Sequence, residues 1–159
     1  IMLKDIMIYK KWIDDNAINS LLEAEKDKCQ KGIDDIRFWL AHINIVDQIF
    51  KAHLSGQKHD YTSTVTHDLP PIQDLIESIH ETDQWFIDYA ETLDGNNPNK
   101  PIDFIFTDGS PGTLTPSEML THLLTHGLYH LSVLDQKIDE HGYGLKGVLL
   151  TTHKKSLSK

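Results

Sequence analysis

The sequence predicts an all-α four-helix bundle: a single domain over residues 1–159, with a short β-hairpin inserted before the last helix. Three observations predict it. Four long stretches repeat apolar side chains at spacings of three and four. Clusters of Gly, Pro and Asn separate those stretches. The alternation Ile102, Phe104, Phe106 followed by Asp108-Gly109 is a strand-and-turn signal of period two. With 159 residues, 39% of them apolar and 25% charged, the chain has enough material for one packed core.

The first helix is expected from about Leu3 to Ala24, with Leu3, Ile6, Met7, Trp12, Ile13, Leu21 and Leu22 on its apolar stripe. Lys10, Lys11, Asp14 and Asp15 fall largely outside that stripe. The second helix is expected from Asp34 or Asp35, either of which can cap it, to Gly56 at a left-handed C-terminal position. Its apolar set is Ile36, Trp39, Leu40, Ile43, Val46, Ile49, Phe50 and Leu54. The third begins after Leu69-Pro70-Pro71 and stops before Asp94-Gly95-Asn96-Asn97-Pro98. The fourth opens on Thr115-Pro116-Ser117-Glu118, a capping box with Pro at the first helical position, and runs to Glu140 or His141. Residues 57–69 read as a polar loop and residues 101–114 as the hairpin. The run Val148-Leu149-Leu150 is expected to dock on the helices.

Composition excludes several functions. Fifteen basic against 24 acidic residues leave a net charge of −9, which argues against nucleic acid as a partner. The one basic cluster, Lys154-Lys155 with Lys159, reads as a solvated end. No run reaches the ~18 apolar residues of a membrane span, and the first residues lack a cleavage signal. Cys29 is alone, so no disulfide forms within the chain, which fits a cytoplasmic location.

Ten histidines remain to be explained. His53, His59, His67, His80, His141 and His153 sit in polar company or near helix ends, and are read as solvated. His122, His126 and His130 differ, because they recur every four residues on one helix. Each step turns the helix by only about 40°, so all three lie near one face. Adjacent members are ~6 Å apart along the axis and can share an ion, whereas the outer two are ~12 Å apart and cannot easily do so. A pair needs further ligands from another helix. His42, set among Phe38, Trp39, Ile45 and Val46, is the candidate. Taken alone, it reads equally as a core imidazole bonded to a carbonyl or a buried water. Gly127 costs a helix ~1 kcal/mol relative to Ala. A close approach beside it would explain that cost and favours the pair His126–His130, leaving His122 as a neighbour or weak outer ligand. No Glu lies between the pair as in His-Glu-x-x-His, so the zinc-protease pattern is absent.

At these residues the chain resembles the DinB family, the DinB/YfiT-like metalloenzymes. The segment from His122 to His130, closing on Gly127-Leu128-Tyr129-His130, is similar to the family's fourth-helix block. Ile36 to His42 is similar to its second-helix block, which ends on the first ligand. Tyr9 and Trp12, and Phe104 to Gly109, are weaker matches. The resemblance implies a homodimer of four-helix bundles and one divalent metal ion, zinc or nickel with iron as a third candidate, on His42, His126 and His130. It implies metal-activated transfer of a low-molecular-weight thiol onto a small electrophile, with metal-dependent hydrolysis second. A non-catalytic metal-binding or stress-response protein is the alternative outside enzymology. Leu131 stands where the family commonly carries Arg, so no role needing that charge is expected. Tyr129 is read as packing and no general base is evident.

Overall fold

A computed structural model describes residues 2–95, 98–145 and 147–158. Helix α1 spans Leu3–Lys26, α2 Gln30–Ser55 and α3 Ile72–Asp94. Strands β1 (Ile102–Ile105) and β2 (Pro111–Leu114) then precede α4 (Pro116–Asp139) and α5 (Leu150–Leu157). The four long helices form a ring in the order α1, α3, α2, α4. Across its diagonals, α1 meets α2 closely while α3 and α4 scarcely touch. No described helix is long and apolar enough to cross a membrane.

Two helix ends follow the expected local chemistry. Thr115 accepts from the Glu118 N–H and the Glu118 carboxylate accepts from the Thr115 N–H, completing the expected capping box. Gly56 closes α2 at φ 68°, where an L side chain would be strained. The α2 start differs from expectation. The helix begins at Gln30, a full turn before Asp34, so neither Asp34 nor Asp35 is its cap. Gln30 instead bonds Asp34 along the helix, and Gly32 lets α2 approach Ala24 of α1. The connection between them shortens to Asp27–Cys29.

The hairpin is antiparallel, with Phe104 opposite Gly112. Phe104 is buried against Phe50 and His53 of α2. A Cβ on Gly112 would come within 2.7 Å of the Phe104 and Phe106 rings, so only glycine fits there. Of the run expected to dock, Val148 is buried but Leu149 and Leu150 are exposed, and the tail ends in an unexpected short helix, α5. His153 on α5 is 2% exposed, not solvated, and packs against the Tyr9 and Trp12 rings. Tyr9 donates to the Val148 carbonyl. The two α1 aromatics thus anchor the tail.

The α1 stripe also needs correction. Leu22 is 41% exposed, whereas Lys10 and Asp14, expected outside the stripe, are 2% and 1% exposed. Asp47 of α2 and Asp83 of α3 join them, each 2% exposed. The Lys10 ammonium donates to all three carboxylates, at 2.8 Å to Asp14, 2.6 Å to Asp47 and 3.2 Å to Asp83. One oxygen of each carboxylate has no hydrogen-bond partner among the described residues. Burial would lower the Lys10 pKa, but three adjacent carboxylates raise it well above its ordinary value. Burial lifts Asp47 to about 7 against the pull of Lys10, and lifts Asp83 as well, with Asp14 adding to the effect.

Candidate metal centre

Helices α2 and α4 pack side by side, and His42 faces His126 and His130 across the seam. The i, i+4 pair sits on one α4 face, with ring centroids 4.6 Å apart. His42 Nε2 lies 3.1 Å from His126 Nε2 and 3.2 Å from His130 Nε2. On the far side of its ring, His42 Nδ1 lies 2.7 Å from the Thr64 carbonyl. A carbonyl only accepts, so Nδ1 carries the hydrogen, and in the neutral ring Nε2 presents its lone pair.

That arrangement fits a cation. One lone pair on His42 Nε2 cannot accept well from two neighbouring imidazoles at once, so the neutral side chains leave the cluster underbonded. An ion with bonds of ~2.1 Å at ~95–109° to one another would hold its nitrogens ~3.1–3.4 Å apart, close to the separations found. Two of the rings, His126 and His130, are also held toward the neutral form. Burial lowers the His126 pKa to about 3, with smaller contributions from His130, His42, His122 and Lys10. Burial and His42 lower His130. His126 Nδ1 is buried without a partner.

The surroundings stiffen the set. Trp39 lies flat on the His130 ring, with centroids 4.9 Å apart and planes at 20°, and meets His42 edge-on. His122 stays at the surface, its ring 5.7 Å from His126 and 5.2 Å from Phe50, and does not join the converging nitrogens. Tyr129 is 67% exposed with its edge toward His130, so it is not a packing residue. Leu131 is fully buried, where an Arg would have to bury its charge. Cys29 lies outside the group at the α2 N-terminus. The two groups of potential ligands among the described residues are this histidine trio and the Asp14–Asp47–Asp83 set already held by Lys10.

Gly127 has no close neighbour of the kind its sequence position suggested. A Cβ built there meets nothing within 4 Å, so no close approach demands glycine. The pair His126–His130 is distinguished by where α2 places His42. Sequence reading missed the Lys10 cluster and the Thr64 carbonyl. The first left a trace in the spacing Met7, Lys10, Asp14, Ala17, which is a core pattern carrying charges. The second is a backbone atom and left none.

No curated protein and no solved structure matches the chain. A family model for the DinB superfamily matches residues 35–134, which include all three histidines and more than half of the sequence. The chain therefore belongs to the DinB superfamily.

Proposed function

We propose that this protein binds one divalent ion, zinc or nickel before iron, through His42, His126 and His130, and activates a low-molecular-weight thiol for transfer to a small electrophile. The observation that carries the reading is the donor set: three imidazole nitrogens converge, and no fourth side-chain ligand joins them among the described residues. Structural zinc sites are normally closed by four protein ligands, so three point to an open position. When bound, such an ion lowers the pKa of a thiol or water held at that position.

The chain's own residues do the rest. Thr64 fixes the His42 tautomer, Trp39 holds the His130 ring plane, and burial keeps His126 neutral. In the transfer, a bond forms between thiol sulfur and the electrophilic carbon as the bond to the leaving group breaks. The thiol proton departs with that group or to solvent. The homodimer expected of the family belongs to this reading, and light scattering at micromolar concentration tests it.

The discriminating experiment is cobalt substitution. Addition of a small thiol should shift the visible spectrum of the cobalt protein, as sulfur enters the coordination shell. An unchanged spectrum at saturating thiol would leave the second reading, an ion that only staples α2 to α4. That reading draws on the placement of the three histidines on just two helices.

A further inference from the structure

The connection between α2 and α3 leaves α2 at Gly56 and runs back along it in antiparallel order. Tyr61 donates to Gln48 Oε1 at 2.5 Å. His42 donates to the Thr64 carbonyl at 2.7 Å. The His67 ring stacks on Phe38 at 5.8 Å. Arg37 donates from Nε to the Pro70 carbonyl at 2.8 Å and from Nη2 to the Leu69 carbonyl at 2.9 Å. Strap positions 61, 64, 67 and 69–70 thus meet helix positions 48, 42, 38 and 37, like rungs of a ladder. One of the inner rungs is a candidate metal ligand.

Packing holds the strap toward its ends, where Leu69 rests on the core and His59 meets the His53 and Tyr61 rings. Behind it, between α2 and α3, lies a cavity of about 540 Å³ lined by residues including Ala41, Asn44, Tyr61, Val65 and Ser78. Over that cavity the register of the strap depends on its rungs. Arg37 makes the firmest, because a planar guanidinium fits two adjacent carbonyls where a point charge would satisfy one. Gln48, the Tyr61 partner, is itself braced on Ser78 of α3. Both outer rungs act on the segment that delivers the Thr64 carbonyl to His42.

We infer that Arg37 and Tyr61 are positioning residues for the metal centre: they hold the strap so that the Thr64 carbonyl fixes the tautomer and ring plane of His42. The inference rests on the metal-binding reading above. A ligand histidine held from its second nitrogen is a better-oriented donor, and loss of such a partner costs metal affinity ~10–100-fold. A residue that merely stabilised the loop would alter melting behaviour and leave His42 alone.

The test uses the whole chain with cobalt(II) alone as the probe. Affinity is measured by chelator competition for wild type, Arg37→Met, Arg37→Lys and Tyr61→Phe. The His42 tautomer is read in the metal-free proteins from long-range proton–nitrogen NMR spectra. Arg37→Met is expected to bind cobalt ~10–100-fold more weakly and to show His42 exchanging between tautomers. Arg37→Lys should recover only part of the affinity, and Tyr61→Phe should fall between wild type and Arg37→Met. Wild-type affinity and a single wild-type tautomer in both Arg37→Met and Tyr61→Phe would overturn the inference. Failure of wild type itself to bind cobalt would overturn the metal reading instead, and the tautomer spectra would still decide whether the strap positions His42.

Discussion

Replacing Lys10 with Met removes the ammonium from three buried carboxylates while keeping most of its stem. Lys10, Asp14, Asp47 and Asp83 are each at most 2% exposed, so solvent cannot take over the lost charge. Removing one partner of a buried ion pair costs ~3–5 kcal/mol, because the remaining charge is left uncompensated. A chain of 159 residues has an unfolding entropy of about 0.33 kcal/mol per kelvin, so the loss corresponds to a Tm lower by ~9–15 °C at pH 8. The penalty must depend on pH. Lys10 pulls Asp47 and Asp83 downward, and without it burial drives both further up. At pH 5 these carboxyls take up protons on folding and escape much of the cost, so the Tm deficit should shrink to less than half. Thermal unfolding followed by circular dichroism at both pH values is the assay. A deficit below ~3 °C at pH 8 would contradict the assignment of these carboxylates as buried charges that depend on Lys10. An equal deficit at the two pH values would show that the carboxylates do not carry the effect.

Stability against pH and a glycine replacement give three more tests. A folded-state value for Asp47 of about 7, above the ordinary 3.8, contributes stability that is present below 3.8 and lost as pH rises through about 7. Asp47→Asn should thus gain in Tm relative to wild type on going from pH 5 to pH 8, and a pH-independent difference would refute this. The depressed value of His126, about 3 against 6.5, has the opposite sign: its contribution is present above 6.5 and lost as pH falls toward about 3. Metal-free His126→Gln should accordingly lose less stability than metal-free wild type between pH 6.5 and 4, as urea unfolding midpoints would show. Gly127→Ala should raise stability by up to ~1 kcal/mol and leave cobalt affinity unchanged, since a Cβ there meets open space. A destabilised variant would mean that the site needs that space.

The sequence carried the local features well. The α4 capping box, the left-handed Gly56 and the Asp108-Gly109 hairpin each rest on neighbouring residues and stand where expected. The i, i+4 histidine pair was legible for the same reason, because helical geometry alone brings the rings together. His42 was harder. Its apolar surroundings marked it as buried, but which pair it faced depended on how α2 and α4 pack. Gly127 points to the pair that faces His42, for a reason that its open surroundings do not support. Charged residues on an apolar stripe misled the reading of α1, since Lys10 and Asp14 look solvated until Asp47 and Asp83 arrive from two other helices. The α2 start was placed late because Asp34 and Asp35 are good caps, yet packing of Gly32 on α1 extends the helix past them. His153 reads as solvated because Thr151, Thr152, Lys154 and Lys155 flank it, and its burial comes from Tyr9 and Trp12 far away in the chain. Two of the strap rungs, at Thr64 and at Leu69–Pro70, end on backbone carbonyls, which no residue type announces.

On the proposed reading, one ion sits among three imidazoles on α2 and α4. Anomalous diffraction from crystals of the protein loaded with cobalt or zinc would locate it. One strong peak is expected ~2.0–2.2 Å from Nε2 of His42, His126 and His130. That peak should vanish in a His42→Ala, His126→Ala double variant. A peak at the Asp14–Asp47–Asp83 cluster alone, or none in a crystal that retains this fold, would contradict the claim.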